Sequence, residues 1–162
     1  MLPHASRGDG NPYPYIYAVA HAPGARELMS GGWDGSIAIS DIATGALKRR
    51  YPTRGRRVFD GAYLADGGVA SVSAAIDSDA HEGRVQIWDA SGDARVCLNT
   101  PNHLYVRAVP SPRGDTIAIT GYSGHAVIVD ATDGRELYRW MPPVEGRLNP
   151  EPSICYSPDG KR

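Results

Sequence analysis

Three stretches of this chain end in the same way. Ser30-Gly31-Gly32-Trp33-Asp34-Gly35-Ser36-Ile37-Ala38-Ile39-Ser40-Asp41 runs on to Ala43-Thr44-Gly45, and Gly83-Arg84-Val85-Gln86-Ile87-Trp88-Asp89 runs on to Ala90-Ser91-Gly92. Gly124-His125-Ala126-Val127-Ile128-Val129-Asp130 runs on to Ala131-Thr132-Asp133-Gly134, so closing aspartates recur at 41, 89 and 130. Upstream of each lies a glycine turn, at Pro23-Gly24, Asp66-Gly67 and Pro112-Arg113-Gly114, and a fourth turn appears at Pro158-Asp159-Gly160. Self-similarity at this period implies units that stack against one another, because one such unit cannot bury its apolar surface alone.

Each unit divides into four short apolar stretches bounded by Gly, Pro, Asn or Asp, which predicts strands rather than helices. The expected strands are 15–21, 27–31, 36–41 and 46–51; then 58–65, 69–76, 84–89 and 94–99; then 104–109, 116–121, 125–130 and 135–140, with 153–157 opening a fourth unit. In the third strands Ile39, Ile87 and Ile128 match, yet the alternate positions hold Ala38, Gln86 and Val127. Neither face is reliably polar, as expected of sheets covered on both sides. The class expected is all-β.

With 162 residues and 41% hydrophobic content, the chain is long enough for a real core, and its 19 Gly and 13 Pro suit many tight turns. A net charge of −1 supplies no global field for nucleic acid or an anionic membrane. Two cysteines, Cys97 and Cys155, are too few to staple a domain of this size. Residues 1–14, with Pro3, Pro12 and Pro14, read as an irregular N-terminal segment without an apolar signal-peptide core, and a cytoplasmic location is expected.

Ile87-Trp88-Asp89 and Tyr156-Ser157-Pro158-Asp159-Gly160-Lys161 resemble the WD-repeat β-propeller family, whose blades close on Trp-Asp and open with a Ser-Pro-Asp-Gly turn. The likeness covers residues 15–162 as a fragment with blades near 15–56, 57–102 and 103–148 and a partial one at 149–162. The repeats are divergent or quinoprotein-like. The Trp-Asp position reads Ser40-Asp41 and Val129-Asp130 elsewhere, the family's Gly-His dipeptide precedes no first strand, and no blade carries the complete Ser/Thr-His-Asp-Trp hydrogen-bond set. The resemblance implies an arc of three four-stranded antiparallel blades plus the first strand of a fourth, too short to close a ring of roughly four to eight blades. Membership of a larger propeller is expected, with self-association through the open blade faces as the alternative.

Two segments stand out as candidate sites. Asp77, Asp79, His81 and Glu82 lie in an insertion that offers ligand chemistry for a metal ion, although its spacing matches no established loop and a solvated acidic loop is the ordinary reading. Lys48, Arg49, Arg50, Arg54, Arg56 and Arg57 give six basic residues in ten positions without an acid. Strand-edge cations that discourage edge-to-edge pairing explain such a run, and an acidic protein surface is its functional counterpart. By the resemblance, 54–57, 77–82 and 142–152 share one face, making Arg54, Arg56, Arg57, Asp79, His81 and Glu82 the candidate partner-binding residues. Arg-Gly-Asp at 113–115 falls in an expected turn, and Trp33, Trp88 and Trp140 are expected to pack between blades.

No nucleophile elbow, zinc-protease helix motif, phosphate-cradling loop or metal-spaced cysteine pair occurs. The expectation is therefore a scaffold that binds other proteins, without cofactor, nucleic acid or membrane as partner. The propeller domain of an enzyme is the alternative.

Overall fold

In the computed structural model, residues 15–24, 26–53, 56–75, 82–100, 104–122, 124–141 and 153–160 are described. Twelve strands form three four-stranded antiparallel sheets. The first contains β1 (Ile16–His21), β2 (Glu27–Gly32), β3 (Ser36–Asp41) and β4 (Leu47–Pro52). The second contains β5 (Arg56–Tyr63), β6 (Val69–Ala75), β7 (Gly83–Trp88) and β8 (Ala94–Thr100). The third contains β9 (Tyr105–Pro110), β10 (Thr116–Gly121), β11 (Ala126–Asp130) and β12 (Glu136–Trp140). Strand order in every sheet follows the sequence, β1 lies beside β5, and β5 lies beside β9. The sheets are thus the blades of a propeller arc, with β1, β5 and β9 innermost. No described residue is helical, so no helix among them is long and apolar enough to cross a membrane.

All twelve strands lie within two residues of their expected limits. The segment 153–157 does not: it forms no strand, because no described neighbour offers it a hydrogen-bond ladder. It nevertheless rests beside the third blade, where the Tyr156 and Thr116 hydroxyls are 3.0 Å apart, and it leads into the turn closed by Gly160 N–H donating to Ser157 O at 2.8 Å.

The repeat extends to irregularities that composition does not reveal. The ladder between first and second strands is interrupted at Tyr17, Phe59 and Val106, one residue before Ala18, Asp60 and Arg107, which pair with Gly31, Val72 and Thr120. A second bulge recurs between third and fourth strands, where Lys48, Arg95 and Leu137 are the extra residues. A bulge adds one residue to one strand and sharpens its local twist. Two at matching registers repeat the same local distortion in each blade.

The core lies between sheets. Met29, Ile37, Ile39, Val58, Val69 and Trp88 fill the space between the first two blades, and Ala70, Val72, Val85, Ile87, Ile117, Ile119, Val127 and Val129 fill the second space. Alternate residues of β6 therefore point to opposite neighbours, which explains the missing polar face in the sequence pattern. The approach is close enough that a Cβ on Gly31 would meet Val58 Cγ1 at 2.6 Å. Trp88 is buried, stacks on Tyr51 with ring centroids 5.5 Å apart, and donates its indole N–H to Ser71 at 3.0 Å. Trp140, by contrast, is exposed on β12, an outermost strand, and corrects the expectation that it packs between blades.

Ile87→Ala is expected to destabilise the fold by about 2–5 kcal/mol, since it removes a fully buried side chain from the second interface. Gly31→Ala should cost about 1–3 kcal/mol by overpacking the first. Urea unfolding measures both, and an unchanged midpoint for either would contradict the packing described.

Candidate functional site

The recurring aspartates come first, because their chemistry is local. Asp41 Oδ1 accepts from the N–H groups of Ala43 and Thr44 at 3.0 and 2.9 Å and from the Thr44 hydroxyl at 3.0 Å. Asp89 Oδ1 accepts from the Ser91 hydroxyl at 2.6 Å and from the N–H groups of Ser91, Gly92 and Asp93. Asp130 Oδ1 accepts from Thr132 and Asp133 N–H at 2.7 and 3.4 Å. Each carboxylate thus closes the turn into the fourth strand, where Gly45, Gly92 and Gly134 have positive φ. These hydrogen bonds hold the three carboxyls below the ordinary carboxylate range, led by Thr44 N–H, the Ser91 hydroxyl and Thr132 N–H respectively. The repeat's signature residue is a turn-former.

The Arg-Gly-Asp sequence at 113–115 is likewise a turn. Gly114 N–H donates to Ser111 O at 2.9 Å, and Asp115 accepts from the Ser111 hydroxyl at 2.7 Å and pairs with Arg113 at 3.0 Å.

Most of the basic run is engaged within the protein. Lys48 and Arg49 meet Glu27 at 3.2 and 2.6 Å, and Arg50 meets Asp34 at 3.5 Å, so β4 is tied across its own blade. Arg56 and Arg57 lie inside β5. Arg56 donates to Glu82 O at 2.9 Å, with the Glu82 carboxylate 3.5 Å away, on the rim of a cleft of about 300 Å³ completed by Gly83, Arg84, Asn99 and Thr100. One basic and one acidic candidate are therefore brought together. Arg54, Asp77, Asp79 and His81 fall outside the described residues. Among the described residues no group of three or more His, Cys, Asp or Glu is arranged to hold a metal, and Cys97 and Cys155 are free and exposed.

Arg57 belongs to a different assembly, built by the β2–β3 turn and the start of β5. Buried Thr53 joins these segments: its N–H donates to Gly35 O at 3.0 Å, and its hydroxyl lies 2.5 Å from Gly35 O and 2.7 Å from Arg56 O. Loops 2–3 and 4–1 therefore sit together. The turn presents Trp33, and the Arg57 guanidinium lies on that ring with Cζ 3.1 Å from its centroid. Tyr15 meets Trp33 edge-on at 5.9 Å, and Tyr17 packs 6.4 Å from Trp33 and 5.9 Å from Phe59 of the second blade. Burial raises the Tyr17 phenol pKa; Arg57 opposes this, while Tyr15 and Tyr122, the latter from the third blade, add to it.

Tyr15 and Tyr17 are both more than a third exposed, so the first two blades present an aromatic surface beside a guanidinium. Sequence reading named Arg57 as a partner-binding candidate but missed the aromatic residues around it. Three of these carry ordinary strand and turn residues' signals, and only the alternation Tyr15-Ile16-Tyr17 hinted at a shared face.

Deeper between the blades, Asp60 Oδ2 accepts from Ala108 N–H at 3.1 Å and links the innermost strands β5 and β9. Burial raises its pKa, against backbone hydrogen bonds from Ala108 and Gly61.

Compared with family models and with curated proteins, the chain matches none.

The turn aspartates carry a pH signature. Their carboxyls titrate lower in the fold than the value of about 3.9 expected when unfolded, so their contribution is complete at neutral pH. It begins to fall near that value and is lost as pH drops through the folded values. The difference in melting temperature between wild type and Asp89→Ala should be open at pH 7 and close toward pH 3; a constant gap would remove the carboxylate charge from this account.

Proposed function

We propose that this chain is a non-catalytic protein-interaction scaffold built from divergent WD-like repeats, part of a larger propeller, with the aromatic surface around Arg57 as its docking face. The observation that carries this reading is the assembly of Tyr15, Tyr17, Trp33 and Arg57 from two blades, with Tyr15 and Tyr17 exposed. Tyr, Trp and Arg dominate the energetics of protein interfaces, because they offer large rigid contact area with a polar end. Their apolar area has been left in water here although the blades have room to bury aromatics, as Trp88 and Tyr51 show.

The repeat reading is supported by the Trp88–Ser71 hydrogen bond, which joins a third-strand indole to a second-strand hydroxyl as in part of the family's hydrogen-bond set. It is also supported by the matched bulges. Because the basic run is largely paired internally, the scaffold offers little that tracks a phosphate backbone.

The double substitution Tyr15→Ala with Tyr17→Ala tests the docking face. A partner recovered by affinity capture with the wild-type chain should bind the double variant about tenfold more weakly or worse by titration calorimetry. The melting temperature should fall only modestly, since both side chains are about half exposed and neither belongs to the buried cores. A partner bound equally by both proteins would place the docking face elsewhere.

A further inference from the structure

Resting on the docking reading, the chemistry of Arg57 says what kind of partner the face would take. A guanidinium whose Cζ lies 3.1 Å from an indole centroid has that side covered by the ring, which leaves its terminal N–H groups as the donors for an acceptor. Other described cations near carboxylates are already engaged: Lys48 and Arg49 with Glu27, Arg50 with Asp34, Arg56 with Glu82 and Arg95 with Asp66. Arg57 makes no such ion pair among the described residues. Its Nε is buried with no hydrogen-bond partner, while the residue as a whole is only partly covered. That Nε is out of reach of an incoming group, so a carboxylate arriving at Arg57 meets the terminal N–H groups, where a charge-assisted pair forms.

We propose that the Arg57–Trp33 stack anchors a carboxylate of an extended acidic peptide, whose neighbouring apolar or aromatic side chains lie on Tyr15 and Tyr17. A single fixed guanidinium flanked by rings suits this ligand. A carboxylate needs one planar donor pair, whereas a nucleic-acid strand needs a track of cations along its phosphates. Lys48, Arg49, Arg50 and Arg56 of the basic run are each paired with an acid of the protein itself.

The test is a titration of the full chain, followed by the indole N–H of Trp33 and the side-chain N–H of Arg57 in nitrogen–proton correlation spectra. The probes are a blocked pentapeptide containing tyrosine, glutamate and proline, the same peptide with glutamine for glutamate, and an oligothymidylate of about eight nucleotides. The glutamate peptide should move both signals and bind about fivefold or more tightly than the glutamine peptide. Raising salt should narrow that difference, and Arg57→Gln should abolish it.

Equal binding of the two peptides overturns the carboxylate anchor but leaves a docking surface in place. Tighter binding of the oligothymidylate overturns it in favour of a nucleic-acid site. No shift with any probe at millimolar concentration also overturns it, whereas the docking reading stands or falls separately on the tyrosine double variant. The glutamate–glutamine comparison uses wild-type protein, so the result does not depend on whether a substituted chain folds.

Discussion

The contact on which this molecule depends is the stacking of one four-stranded sheet against the next. A strand sends alternate side chains to opposite faces, so a sheet that is apolar on both must find two neighbours or leave one face in water. The middle blade meets that demand fully: β6 sends Val69 toward the first blade and Ala70 and Val72 toward the third. The outer blades each contribute one face to these cores. The glycine at position 31 and the buried Thr53 serve to bring the first two blades together.

That dependence also explains the division of labour among the conspicuous residues. The closing aspartates and turn glycines act within a few residues of themselves, setting the hairpins that make each blade. Inter-blade contacts use a different set: Trp88 over Tyr51, Asp60 to Ala108 N–H, and the aliphatic layers between sheets. The surface proposed for docking grows from both. A hairpin turn places Trp33, and blade stacking brings Arg57 onto Trp33 and Phe59 alongside Tyr17. Function in such a fold arises where loops held by rigid sheets converge, which is also where side chains can stay exposed without weakening the core.

Much of the fold was legible from the order of residues alone. The recurrence at Asp41, Asp89 and Asp130, with glycine turns between, specified strands and hairpins because turn chemistry is local: an Asx oxygen reaches N–H groups two to four residues ahead, and positive φ selects glycine. The absence of a polar face likewise announced stacked sheets. Segment 153–157 was read as a strand from the same local pattern, but a strand exists only with a hydrogen-bonded neighbour, and none of the described residues provides that ladder. Trp140 was read as core by residue type, whereas its place on an outermost strand leaves it in water.

The sequence by itself therefore determined the units: twelve strands, their turns and the carboxylates that hold those turns, all governed by interactions spanning a few residues. Tertiary structure alone decided what the polar and aromatic residues do. Arg56 and Glu82, separated along the chain, became partners, while the adjacent Arg57 turned to Trp33 and joined a surface drawn from two blades. Neighbouring residues on a strand face opposite ways, so one position in sequence is the difference between an internal ion pair and a guanidinium stacked on an aromatic ring. The partner of each side chain depends on which sheet is stacked beside it, and that is a long-range property no local pattern contains.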